Sequence, residues 1–336
     1  MPAVQSKTQQ EDDVDPVLRF GFRLACSSAL YPLEYAKTLI QLGYEPIAPR
    51  PGRTLFGARR LMLPNIFQYA AYIKSVDGFT GCFRGLSARL AGNILSSYYG
   101  DRLAMVVMGC FSSECSTGSH PAEEIDFVWD NITYEFVDEY MARPAAVPRG
   151  PVAVPSGLMY KAVRHCCGVI ISHPFHVISI RMMAQFIGRE HMYDGLFGSI
   201  KEIWAREGIS GFFSGLVPRL WMDFCVFTLT GVVTYLFAKY VGGNKTIRGH
   251  VNTITHFTVS SILYPYHVVS TCMAVQGSRL QAGNPPMMDH YINWRDCYAR
   301  LRLDGEHKRG SSFFFRTIVR VPAKVSNAFV PLPEMK

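Results

Sequence analysis

The residues of this 336-residue chain whose types and spacing suggest chemistry are charged side chains set inside apolar stretches. Glu34 and Lys37 stand at i,i+3, Arg219 and Asp223 at i,i+4, and Arg23, Asn93, Asp101, Arg102 and Arg181 occupy similar surroundings. An ionisable group in a membrane helix is costly unless paired or hydrated, so these side chains are expected to face a wet interior. Helix-neighbour pairing is the structural explanation for Glu34 with Lys37 and for Arg219 with Asp223. The functional explanation is a hydrophilic groove that shelters polar parts of an arriving helix while its apolar face partitions into lipid. Lys37 and Asp223 lead that groove set, with Glu34, Arg23, Asn93, Asp101, Arg181 and Arg219 as companions. Such a mechanism needs no covalent step, so no catalytic nucleophile and no enzyme activity are expected.

Histidines and cysteines point to no cofactor. His173 and His176 have i,i+3 spacing and His267 recurs later, but no Cys or carboxylate completes a tetrahedral set at local spacing, so no metal is expected. Beside a helix kink, imidazole more simply hydrogen-bonds a freed carbonyl. The nine cysteines include no CxxC pair and read as small buried apolar residues.

The elements that must hold these residues follow from composition. Charged residues make up 18% of the chain against roughly 25% in soluble domains, and apolar residues 49%, which excludes disordered, coiled-coil and collagen-like chains. The net charge of +8 comes with no recognisable nucleic-acid module, so no nucleic-acid partner is expected. Asp77-Gly-Phe-Thr-Gly-Cys-Phe-Arg-Gly-Leu-Ser-Ala-Arg89 recurs as Glu207-Gly-Ile-Ser-Gly-Phe-Phe-Ser-Gly-Leu-Val-Pro-Arg219. Before them stand Tyr31-Pro32-Leu-Glu34-Tyr-Ala-Lys37 and His173-Pro174-Phe-His176-Val-Ile-Ser179. A third copy reads Tyr264-Pro265-Tyr-His267-Val-Val-Ser270, followed by Asp304-Gly305 and Phe314-Phe315-Arg316.

Pro32, Pro174 and Pro265 each fall in a stretch long enough for a kinked membrane helix, and Gly85 and Gly215 open the helices that follow the repeated string. The reading is an all-α membrane protein of five spanning helices. Its parts are an acidic tail (1–15), repeat 1 (16–109), an acidic Pro-containing insertion (110–155), repeat 2 (156–241) and a degenerate repeat 3 (242–336). The basic segment 50–74 is expected to be either a surface helix against anionic headgroups or an ordinary membrane-facing loop.

These elements resemble the threefold repeat of the mitochondrial carrier family, Pro-x-acid-x-x-base followed by acid-Gly and aromatic-base-Gly. Leu39-Ile-Gln-Leu-Gly-Tyr-Glu-Pro46, Gln185-Phe-Ile-Gly-Arg-Glu190 and Gly211-Phe-Phe-Ser-Gly-Leu-Val-Pro-Arg-Leu220 are similar to one divergent branch, the mitochondrial carrier homologs. That resemblance implies a carrier-like threefold repeat of helix pairs in the mitochondrial outer membrane. It also implies insertion of α-helical, including tail-anchored, membrane proteins, and a receptor role for pro-apoptotic BH3 proteins. The lipid bilayer and those proteins are the implied partners, with no cofactor.

Two departures separate the chain from a metabolite transporter, which with a non-transporting docking receptor is the alternative reading. Only repeat 1 offers both an acid and a base for a gating ring, because His176 and Ser179, then His267 and Ser270, replace them. The last twenty residues, Thr317–Lys336, hold Pro322, Pro331 and Pro333 with four charges, so the sixth helix is expected to be degenerate or missing.

Overall fold

A computed structural model describes residues 16–53, 59–111, 154–241 and 245–317. The acidic tail 1–15, most of the 110–155 insertion and residues 318–336, where the missing sixth helix is expected, lie outside the described residues.

Five long helices dominate: α1 (Pro16–Gln41), α3 (Leu86–Phe111), α4 (Val154–Gly188), α7 (Leu216–Tyr240) and α8 (Lys245–Val275). Shorter connectors lie between or after them: α2 (Ile66–Gly81), α5 (Gly195–Glu207), α6 (Ile209–Phe212) and α9 (Trp294–Leu303). Pro32, Pro174 and Pro265 lie inside α1, α4 and α8. Helix α1 ends where Gly43 takes a positive φ of 87° and donates to Ile40, while Tyr44 donates back to Leu39. Helix α2 starts with a reciprocal cap between Asn65 and Gln68.

Among the described residues, two helical stretches are long and apolar enough to cross a bilayer, Ala162–Gly188 with mean hydropathy 1.3 and Ile209–Tyr240 with 1.6. Helices α1, α3 and α8 have the length but not the apolarity, for physical reasons visible in their side chains. Helix α3 carries Arg89, Asn93, Asp101 and Arg102, and α8 is dense in Thr, Ser and His.

In the basic segment 50–74, expected as a surface helix or an ordinary loop, the described residues form strands and then a helix. Residues 50–53 and 59–63 form two antiparallel strands, β1 (Arg50–Arg53) and β2 (Arg59–Leu63), and α2 begins at Ile66. Pro51 and Gly52 disfavour a helix there. A third short strand, β3 (Arg316–Thr317), adds to β2 with Leu63 opposite Arg316. Arg316 donates to the Glu45 carboxylate and, at 3.0 Å, to the Pro64 carbonyl. Burial pushes the Glu45 carboxyl up, and the Arg316 guanidinium opposes that shift.

Each kinked helix is clipped to a turn by the residue preceding its proline. Tyr31 donates to the Arg84 carbonyl at 2.9 Å, His173 to that of Ser214 at 3.0 Å, and Tyr264 to that of Arg309 at 3.0 Å. A glycine of positive φ follows each accepting residue: Gly85 (90°), Gly215 (79°) and Gly310 (76°). These glycines pack onto the next kinked helix in cyclic order. A Cβ would stand 3.0 Å from the Ser179 carbonyl oxygen at Gly85, 2.5 Å from that of Ser270 at Gly215, and 3.4 Å from Gln41 Cγ at Gly310. In the third segment, therefore, Arg309-Gly310 holds the place expected for Phe315-Arg316. The latter pair instead leads into the sheet.

Apolar packing gathers at the connector end of the bundle. One cluster joins Tyr31, Tyr35 and Leu39 to Tyr69, Met183 and Phe186, and a second joins Val177 and Ile180 to Ile203, Phe212 and Leu280. A third joins Val268 and Cys272 to Met288, Tyr291 and Leu301.

Candidate functional site

The turn after Pro32 places Glu34, Thr38 and Gln41 on one face of α1, at i, i+4 and i+7. With Arg89 from the first turn of α3, His176 and Ser179 from α4, and His267 and Thr271 from α8, they line a tight crevice. All are buried. The three residues at the acid position of the repeat, Glu34, His176 and His267, thus meet at one place.

A single guanidinium organises two of them. Arg89 Nη2 lies 2.9 Å from Glu34 Oε1, and Nη1 donates to His176 Nδ1 at 2.8 Å. Arginine has no acceptor, so Nδ1 must accept and the ring carries its proton on Nε2. The kink-carbonyl reading fits neither histidine: His173 reaches the Ser214 carbonyl in the turn before α7, outside its own helix, and His176 contacts Arg89. Arg89 was visible in the sequence only as the last residue of the repeated string, so its role at the crevice was missed.

Lys37 sits one turn beyond Glu34, buried, with its ammonium 5.4 Å from the Tyr264 ring centroid and 5.3 Å from that of Phe313. At the equivalent positions Ser179 hydrogen-bonds Tyr31 at 3.1 Å and Ser270 donates to the Gly215 carbonyl at 2.8 Å. A network of neutral groups completes this end: Gln41 donates to Tyr264 at 2.8 Å and accepts from Thr271 at 3.1 Å.

A second polar set lies on α4 and α7. Asp223 and Arg219 are buried on the inward face of α7, and His165 Nε2 stands 4.0 Å from Asp223 Oδ2. Val217, Trp221 and Phe224, interleaved with them in sequence, are exposed. Asn93 is buried on α3, and nearby Ser96 donates to the Gly168 carbonyl of α4 at 2.9 Å.

Arg181, of the expected groove set, and Arg102, expected to face the interior, have other surroundings. Arg181 is fully buried in a bidentate pair with Glu207 at 2.5 and 2.8 Å, and its Nε donates to the Ala274 carbonyl at 2.9 Å. Glu207 is the acid of the repeated acid-Gly string, so this pair braces α4 against the connector and α8. Arg102 is exposed instead of facing inward, its guanidinium 4.6 Å from the Tyr98 ring centroid. Arg23 and Asp101 belong to α1 and α3, and their side chains lie outside the described residues.

Comparison with known proteins gives the family of the chain. The mitochondrial carrier protein family matches residues 152–245. The chain is 37% identical over 292 residues to mitochondrial carrier homolog 2 of Bos taurus, covering 85% of this chain and 89% of that one. It is 36% identical to mitochondrial carrier homolog 2 of Homo sapiens over the same shares. Mitochondrial carrier homolog 1 of Mus musculus is 31% identical over 310 residues, with 86% of this chain and 73% of that one covered.

Proposed function

The chain belongs to the mitochondrial carrier homolog family, and from that premise we propose that it is a multi-pass protein of the mitochondrial outer membrane that inserts α-helical, including tail-anchored, proteins into the bilayer. The same reading includes a receptor role for pro-apoptotic BH3 proteins. The observation that carries the insertase reading is α7, where buried Arg219 and Asp223 alternate with lipid-ready Val217, Trp221 and Phe224. A helix so divided offers an arriving segment polar contacts within one residue of the hydrocarbon, which lowers the cost of moving its polar flanks. The crevice supports the same reading over solute transport. It is tight, and two of the three positions that would carry a gating base hold hydroxyls bonded to neighbouring groups.

Reconstitution of the full chain into liposomes tests the proposal. Insertion of a tail-anchored client should exceed the protein-free rate while small-solute exchange does not. Lys37→Glu or Asp223→Lys should change the insertion rate in either direction at normal expression. Insertion at the protein-free rate would reject the insertase, and solute exchange in its place would favour a transporter. Subcellular fractionation with protease protection tests the outer-membrane placement, and pull-down with a BH3 peptide tests the receptor role.

A further inference from the structure

A basic exposed surface lies away from the crevice, on the small sheet beyond the end of α1. Arg50 and Arg53 of β1 and Arg59 and Arg60 of β2 are all exposed. The register sets Arg53 directly opposite Arg59, which puts two like charges on one face of the ladder. Between Glu45 and Asp77 the sequence holds no acid, and Glu45 is itself engaged by Arg316. Two cross-strand guanidiniums without a local carboxylate repel each other unless an external anion lies between them.

Exposed aromatic side chains stand at the other end of the same sheet, beyond Leu63. Strand β3 brings Phe314 and Phe315 to the sheet, and the Phe314 ring lies 5.8 Å from that of Phe67 on α2. Phe67 is 50% exposed, Phe314 60%, Phe315 50% and Leu61 42%. By the two-residue alternation of the ladder, Arg53, Arg59 and Leu61 share one face and Arg50 and Arg60 the other, so the small sheet and the start of α2 present a basic and apolar patch with its charges and its aromatic rings at different ends.

We propose that this patch is a docking surface for the anionic phospholipid headgroups of the surrounding bilayer, with Arg53 and Arg59 bridging a phosphate and the Phe67–Phe314–Phe315 cluster entering the interface. Charge complementarity selects an anion, and the exposed aromatic group at the other end of the same sheet selects an extended surface with an apolar layer beneath it. The inference rests on the membrane reading of the helices and is independent of insertase activity.

Amide hydrogen exchange of the full chain in nanodiscs tests it, comparing phosphatidylcholine alone with phosphatidylcholine containing phosphatidylserine. Anionic lipid should slow exchange across 50–63 by roughly fivefold or more, the factor one arginine contributes at such a surface. High salt and the Arg53→Gln/Arg59→Gln variant should remove the effect, and Arg53→Lys/Arg59→Lys should keep most of it. Equal exchange in both discs, with 162–188 and 209–240 protected, overturns this inference alone; free exchange of those two helices overturns the membrane reading with it. Equal protection by inorganic phosphate, or by an acidic peptide, in neutral discs would assign the patch to a soluble anion or a protein and would also overturn the proposal.

Discussion

Arg181 and Lys37 are both buried cations of kinked helices, yet their surroundings give them different work. The Arg181 guanidinium is held by both oxygens of Glu207 and by a main-chain carbonyl, so its charge is matched inside the protein. Breaking a buried pair leaves an uncompensated charge, and Arg181→Met or Glu207→Leu alone should each destabilise by about 3–5 kcal/mol. Replacing both should recover most of that loss, measured by thermal unfolding in detergent. The refolded double variant should insert clients at the wild-type rate; slow insertion by a stable double variant would return Arg181 to the groove. Sequence spacing could not reveal this bond, because Glu207 is 26 residues further on and belongs to another element. Glu34 was legible as a member of the repeated motif, but its Arg89 partner comes from the next long helix, beyond the reach of local i,i+3 reasoning.

At the scale of elements, the long helices were legible because apolar stretches around a proline leave few alternatives. The connectors were less so. Residues 50–53 and 59–63 pair as strands because Pro51 and Gly52 oppose a helix and because β3, from the far end of the described chain, supplies a further partner. The third turn was read out of register for a related reason. Its two positive-φ glycines, Gly305 and Gly310, are five residues apart, whereas Gly78 and Gly85, like Gly208 and Gly215, are seven apart. A pattern anchored on aromatic residues therefore slid onto Phe315-Arg316. The glycines also separate two kinds of constraint. At Gly305 only the positive φ of 76° opposes a side chain, since nothing lies within 4 Å of a Cβ there. Gly305→Ala should destabilise by about 1–2 kcal/mol. At Gly215 a Cβ would also press on the Ser270 carbonyl, main chain that cannot turn aside. Gly215→Ala should therefore cost about 1–3 kcal/mol more than Gly305→Ala. Comparable thermal unfolding midpoints for the two variants would show that the α7–α8 approach is looser than the geometry indicates.

For the whole molecule, three clips at the connector end and a divided surface along α7 describe a protein braced at one end and carrying an exposed apolar flank. The Tyr31, His173 and Tyr264 bonds hold the kinked helices to successive turns, so the braced end is a poor place for a charge-operated gate. The flank is different. In Ile209–Tyr240 only 17% of the most apolar window is buried, against 61% in Ala162–Gly188, although both have the apolarity of a membrane span. A helix this apolar and this bare is stable in contact with hydrocarbon and unfavourable in contact with water. Trp221, 52% exposed on α7 and two residues before buried Asp223, reports on that boundary. In liposomes of phospholipid brominated in mid-chain, Trp221→Phe should remove the strongly quenched part of the tryptophan emission. Trp204→Phe on α5 and Trp294→Phe on α9 should leave that part in place, because both residues belong to connectors. Unchanged quenching in Trp221→Phe would place the α7 face away from lipid, and the polar contacts at Arg219 and Asp223 would then be out of reach of a client arriving from the bilayer.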